Sequence, residues 1–204
     1  MKEWLKADSE LDVARFYDTK YIANGLEAFS NADRLQIIKC LQEYGGAFSE
    51  DKTLIDCGCG HGEFISMIYD RLTCYGIDVS SRAIDLALAR RRGSFFNYHI
   101  MNAPESYEGM FDYVTCLGVI EHTMNPKEAF DRLMGFLKPT GVLIVSVPLI
   151  FEDCLSHLRE EPNQKTNERF GNLSEWIDFF GQQVEWEFPN NSQETALLYR
   201  KENN

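Results

Sequence analysis

The stretch Thr53-Leu54-Ile55-Asp56-Cys57-Gly58-Cys59-Gly60-His61-Gly62-Glu63-Phe64 constrains the fold of this chain more than any other. A short apolar run through Leu54 and Ile55 predicts a buried strand. Phe64, Ile65, Ile68 and Leu72 then fall on one face of a helix. Between the two stand Gly58, Gly60 and Gly62, at alternate positions. A chain that turns sharply from strand into helix needs dihedrals that glycine adopts freely, and a ligand reaches the backbone only where no Cβ intervenes. The pattern predicts a ligand-cradling turn in an α/β fold. Its spacing is not G-x-G-x-x-G, which aims a helix N-terminus at a pyrophosphate. Asp56 at the entrance repels phosphate and attracts an ammonium or sulfonium.

Ahead of this turn, residues 1 to about 50 have helical patterning. Leu11, Ala14, Phe16, Tyr17, Tyr21, Ile22 and Leu26 give an imperfect apolar stripe; a second helix, from about Ala32 to Tyr44, rests on Leu35, Ile38 and Leu41 and closes at Gly45-Gly46. After it, Cys74 to Ser80 predicts a strand ending in Asp78, and Ser80 and Ser81 can cap a helix from Arg82 to Arg92 with Ala83, Leu86 and Ala87 inward. In a doubly wound sheet the second strand lies beside the first, so Asp78 shares the crevice of the glycine turn and can accept from both hydroxyls of a ribose. A third strand, Phe96 to Met101, ends at Asn102-Ala103, and a fourth, Phe111 to Leu117, leads into Gly118-Val119-Ile120-Glu121-His122. Pro126 opens a helix with Ala129, Phe130, Leu133 and Leu137 inward, and a turn through Pro139 leads to a fifth strand ending at Pro148. The charged, aperiodic segment Leu149 to Gly171 precedes a capping-box pattern, Asn172-Leu173-Ser174-Glu175, and a helix carrying Trp176, Ile177, Phe179 and Phe180. Val184 to Phe188 and Thr195 to Arg200 predict a closing antiparallel pair.

Four motifs carry a resemblance: the turn Asp56-x-Gly58-x-Gly60-x-Gly62, the strand-ending Asp78, Phe111-Asp112-Tyr113-Val114 with the later Ile120-Glu121-His122, and Leu137-Lys138-Pro139-Thr140-Gly141-Val142-Leu143. Their order resembles that of the class I S-adenosylmethionine-dependent methyltransferases, and the Ile-Glu-His element is similar to the ubiquinone-pathway O-methyltransferases and related small-molecule enzymes. The resemblance covers residues 53–148. It implies a doubly wound, Rossmann-like, seven-stranded sheet with helices on both faces and a helical N-terminal lid over residues 1–50. All of residues 1–204 would form a single domain, with the acceptor pocket and a C-terminal hairpin in 149–204.

The same resemblance implies S-adenosylmethionine as cofactor, against Asp56, Gly58, Cys59, Gly60, Gly62, Asp78, Val79, Asn102, Ala103 and Leu117. Asn102 matches a position that binds the adenine amino group, although an Asn after a strand is also ordinary turn chemistry. His122 is the candidate catalytic base, with Glu121 fixing its ring or meeting the methionine amine; the alternative is that His122 only orders a loop or orients the acceptor. Tyr17, Tyr21, His157 and Arg169 are candidates for the acceptor side; packing of the lid and solvation of a polar loop are the plainer roles. Relatives that hold a divalent cation use Glu-x-x-Glu-His, and the first of those positions is Gly118 here, so no catalytic metal is expected.

Charge and cysteine usage narrow the function. With 20 basic and 32 acidic residues the formal charge is -12, which argues against gripping a nucleic-acid backbone. No apolar run approaches the roughly 18 residues of a membrane span, and the first residues lack a secretory signal's apolar core, so a cytoplasmic protein is the expectation. Cys57 and Cys59 form a C-x-C without a second pair at zinc-ligand spacing, and the six cysteines are better explained as small buried thiols. The reading is methyl transfer to a small-molecule acceptor, at a hydroxyl oxygen in the first instance. The alternatives are nitrogen, an RNA or a protein as acceptor, a non-catalytic cofactor-binding subunit, and a nucleotide-dependent oxidoreductase.

Overall fold

Strands buried on both faces are written as continuous apolar runs, and the middle of this chain contains several. A computed structural model describes residues 10–23, 30–148, 173–181, 184, 186–190 and 194–201. Among them are β1 (Thr53–Cys57), β2 (Thr73–Asp78), β3 (Ser94–Asn97), β4 (Phe111–Cys116), β5 (Leu137–Pro148), β6 (Trp186–Asn190) and β7 (Glu194–Arg200). They form one mixed sheet in the order β3-β2-β1-β4-β5-β7-β6. The first five are parallel, and β7 runs antiparallel to both β5 and β6. Since β1 lies between β2 and β4, the loops leaving these three strands meet at one crevice, where an open α/β sheet binds ligands.

Leu54 and Ile55, consecutive in β1, belong to opposite apolar layers, as the two-residue period of a strand requires. One layer joins Ile55, Val114, Phe130 and Phe136 to Trp176 and Phe180, beneath α5 (Pro126–Phe136) and α6 (Leu173–Phe180). The other joins Leu54, Ile144 and Leu198 to Ile37 and Leu41 of α2 (Asn31–Gly45) and to Ile65 of α3 (Glu63–Ser66). Ser30 and Asp33 close a reciprocal capping box at the start of α2. Asp112 accepts from Thr53 N at 2.9 Å and pairs with Lys138 at 2.8 Å, so these two motif residues brace the strand entrances, far from the crevice.

Several predicted elements are corrected. The helix after the glycine turn is a single turn, and Met67, Ile68 and Arg71 then donate to carbonyls three residues back. Such turns still keep Phe64, Ile65, Ile68 and Leu72 buried together. The third strand is Ser94–Asn97, not Phe96 to Met101, because β2 ends at Asp78 and Asn97 is the last residue with a partner there. The Asn97 amide closes that end, donating to the carbonyls of Asp78 and Val79 at 2.9 and 3.0 Å. In α2 the buried stripe is Arg34, Ile37, Ile38 and Leu41, which turns Leu35 outward to 51% exposure. Within α4 (Ser81–Arg90) Ile84, rather than Leu86, lies inward beside Ala83 and Ala87. Leu137 opens β5 opposite Phe111 instead of extending the preceding helix. The segment 149–171, with His157 and Arg169, and the side chain of Tyr21 lie outside the described residues.

Candidate functional site

The crevice is built from the ends of three strands. Past Cys57, the backbone of Gly58, Gly60 and Gly62 takes φ of 81°, 52° and 77°, the left-handed region in which a side chain is strained. The turn is tied to its neighbour: Gly58 N and Cys59 N both donate to Ile77 O, at 2.8 and 3.0 Å. Gly60 N donates to Asp78 Oδ2 at 2.9 Å, and Ser80 N to Asp78 Oδ1 at 2.8 Å. Each carboxylate oxygen keeps a further lone pair, enough for both hydroxyls of a vicinal diol.

Asp56 is 4% and Asp78 8% exposed. Burial pushes the Asp56 carboxyl up to about 7, and the charge of Asp78 adds to this; the Thr115 hydroxyl, which donates to Asp56 Oδ1 at 2.7 Å, and the cation of Arg34 act in the opposite direction. Asp78 is pushed up to about 6 by its burial, opposed by the N–H groups of Ser80 and Gly60. Two buried acids that ionise with such reluctance suit a ligand that brings positive charge to one and hydroxyl donors to the other.

Raised acid pKa values have a definite linkage sign. From the ordinary carboxylate pKa up to about 6 for Asp78 and about 7 for Asp56, the fold holds protons that the unfolded chain has released. Their contribution to stability is complete at low pH and is lost as pH rises through the folded values. A ligand that needs both carboxylates ionised behaves oppositely. The thermal shift produced by S-adenosylhomocysteine is expected to grow between about pH 5 and about pH 8, and Asp78→Asn to flatten that growth, readable by scanning fluorimetry.

The far side of the crevice follows β4. Gly118, at φ 64°, donates its N–H to Ser146 Oγ of β5 at 2.6 Å, which fixes the start of the loop. Ile120–His122 then forms a 3₁₀ turn with Glu121 and His122 buried, and His122 Nε2 lies 3.5 Å from Glu121 Oε1. Gly118 is thus a backbone turn position; among the described residues no group of three or more His, Cys, Asp or Glu side chains is placed to hold a metal. Tyr17, on α1 (Glu10–Ala23), brings its ring to 5.9 Å from that of His122. Cys59 is buried, Val79 and Leu117 half-buried, Ala103 buried and Asn102 exposed. Asn102 sits on a 3₁₀ turn at Ile100–Asn102, its N–H bonded to His99 O, beyond the end of β3.

Four residues at this crevice went unnoticed in the sequence. Arg34 is 8% exposed and pairs with Glu63 at 2.8 Å, beside the glycine turn. An arginine on the apolar stripe of α2 was the available signal. Thr115, Ser146 and Asp18 act through partners far along the chain and leave no local pattern.

The strand order and this site define an α/β fold whose acid-led glycine turn and strand-ending acid meet at the switch point of the sheet. A family profile describing a methyltransferase domain matches residues 30–192. The chain belongs to the class I S-adenosylmethionine-dependent methyltransferases. It is 31% identical over 125 residues to a ubiquinone biosynthesis O-methyltransferase of Shewanella pealeana, covering 57% of this chain and 51% of the relative. Phosphoethanolamine N-methyltransferase 2 of Caenorhabditis elegans is 26% identical over 157 residues, 69% of this chain and 36% of that protein. The chain thus spans about half the length of the ubiquinone-pathway relatives it matches. Among solved structures, the N-methyltransferase NodS of Bradyrhizobium japonicum, in complex with S-adenosylhomocysteine, aligns with a TM-score of 0.69 at 16% identity over 93% of this chain and 98% of that one.

Proposed function

We propose that this chain transfers the methyl group of S-adenosylmethionine to a small-molecule acceptor, at a hydroxyl oxygen in the first instance. The observation that carries this reading is the single bond from Gly60 N to Asp78 Oδ2, 2.9 Å, which joins the acid-led glycine turn to the strand-ending acid in one crevice. The cofactor supplies an already activated methyl on a sulfonium. What remains for the protein is to bind, to orient and to exclude water.

In this reading Asp78 takes the ribose hydroxyls, with Val79, Asn102 and Ala103 toward the adenine. Asp56 and the backbone at Gly58, Cys59, Gly60 and Gly62 meet the positively charged end, with Leu117 alongside. Arg34 is the cation available for a carboxylate on the same amino acid, since it lies near enough to Asp56 to lower that acid's pKa. Glu121 holds the His122 ring and stabilises its charged form, and His122 takes the acceptor's proton as the new bond forms. α1 serves as a lid, with Tyr17 facing the acceptor; His157, Arg169 and Tyr21 complete the acceptor side. Residues 1–204 act as one domain in the cytoplasm.

Transfer to nitrogen is the second reading, supported by the N-methyltransferase among the relatives. Calorimetry with S-adenosylhomocysteine tests the cofactor part: folded protein that fails to bind it ends the proposal. Incubation with labelled cofactor and a metabolite extract identifies the acceptor and the atom. With that acceptor in hand, His122→Ala is expected to lower kcat by about 100-fold while S-adenosylhomocysteine affinity stays within about threefold. A rise in KM at unchanged kcat would instead assign His122 to orienting the acceptor.

A further inference from the structure

α1 is an amphipathic helix only in outline. Among its described side chains Val13 alone is buried, and Leu11 is 58% exposed. Among the described side chains it is Asp18 that ties this helix by hydrogen bonds to the start of α4. Its Oδ1 accepts from Ser80 Oγ at 2.6 Å and from Arg82 N at 3.1 Å, and its Oδ2 from Ser81 Oγ at 3.3 Å. The helix that follows does not need this acid as its cap, because Ser80 Oγ already accepts from Ala83 N at 3.1 Å. Asp18 adds a second, long-range cap whose effect is to dock α1.

The docking point is one residue from the cofactor chemistry. Ser80 gives its hydroxyl proton to Asp18 and its backbone N–H to Asp78 Oδ1, at 2.8 Å. The residue before Asp18 is Tyr17, whose ring lies against His122. These two neighbouring residues of α1 therefore reach both sides of the loop after β1, Asp18 the β2 side and Tyr17 the β4 side. We propose that Asp18 is a positioning residue, a latch that ties α1 through Ser80 to the ribose-binding acid, so that cofactor binding and closure of α1 over the transfer site are one coupled event. This rests on the reading of Asp78 as the ribose ligand.

The coupling has a physical origin. Asp18 and Asp78 are carboxylates bridged by one serine, and their charges oppose each other. Two ribose hydroxyls donated to Asp78 spread its charge and relieve that opposition, which strengthens the bonds to Asp18. By reciprocity a closed latch tightens cofactor binding, and the need to open it first slows cofactor loss. Release of the spent cofactor then requires Asp18 to let go.

Hydrogen exchange on the full chain tests this without a variant: amides of residues 10–23 are expected to gain protection when S-adenosylhomocysteine binds. Asp18→Ala removes that gain and speeds S-adenosylhomocysteine dissociation by about tenfold, the scale of one charge-assisted hydrogen bond. Asp18→Asn, which keeps one acceptor oxygen, restores part of both. A residue that merely stabilises the following helix would shift the melting temperature and leave ligand-dependent protection of α1 intact. That outcome, or ligand-insensitive exchange in the wild type, overturns the latch while the methyltransferase reading stands. If wild-type protein fails to bind S-adenosylhomocysteine at all, both fall together.

Discussion

Asp78→Ala is expected to weaken S-adenosylhomocysteine binding by about 100-fold or more, read by calorimetry. In the proposed reading two hydrogen bonds from ribose hydroxyls to a carboxylate are lost, each worth about 1.5–3 kcal/mol, and about 1.4 kcal/mol corresponds to tenfold in affinity. The variant also leaves Gly60 N and Ser80 N without their acceptor, so the turn keeps its two bonds to Ile77 O and loses the third that joins it to β2. The ligand-free fold is affected much less, since a buried carboxyl whose pKa is pushed up to about 6 carries its own burial cost. Asp78→Asn, which keeps one acceptor oxygen, falls between. Affinity within about threefold of wild type would remove the basis for placing ribose at this acid.

The largest loss of stability is expected from Gly58→Ala. At φ 81° an L-residue costs about 1–2 kcal/mol. A Cβ there would also stand 2.2 Å from Val119 Cγ2 and 2.8 Å from its Cγ1, inside contact distance of a side chain with little freedom to move. Overpacking of this kind adds about 1–3 kcal/mol. Together these correspond to a fall in melting temperature of about 5–20 °C for a chain this long. Val119 precedes the turn holding Glu121 and His122, so the same push displaces the candidate base, and methyl transfer is expected to fall further than stability alone explains. Val119→Ala in the Gly58→Ala background removes the two shortest contacts and leaves the Val119 Cβ contact at 3.0 Å and the dihedral strain, restoring part of the lost stability. A single variant melting within about 2 °C of wild type would show that the turn yields there.

These two positions illustrate how the site is distributed. Glycines at 58, 60 and 62 and the acid at 78 belong to different stretches of sequence and make one object only because β2 lies beside β1 in parallel register. Tyr17 and His122, more than a hundred residues apart, meet because α1 packs against α4 with Tyr17 turned to the loop after β4. Conversely, Asp112 and Lys138 form part of the recognisable pattern and do purely architectural work at the other end of the strands. A motif marks residues that a fold needs, and only position separates those that hold the sheet from those that face the ligand.

What the sequence determined was whatever obeys a short repeat or a local turn rule. The β1–glycine–α3 passage, the strand-ending Asp78, the Ser80 cap and the closing antiparallel pair were legible because strand alternation, cap chemistry and glycine dihedrals act over a few neighbouring residues. The tertiary structure alone decided where β3 stops, since that depends on where β2 runs out of partners. It also decided that Leu35 faces solvent while Arg34 is buried at the crevice, because one stripe of α2 had to meet the sheet. Asp18 at Ser80, Thr115 at Asp56 and Ser146 at Gly118 were invisible for the same reason: hydrogen bonds across 28 to 62 positions of chain impose no periodicity, and only strand order and helix placement bring such partners within 3 Å.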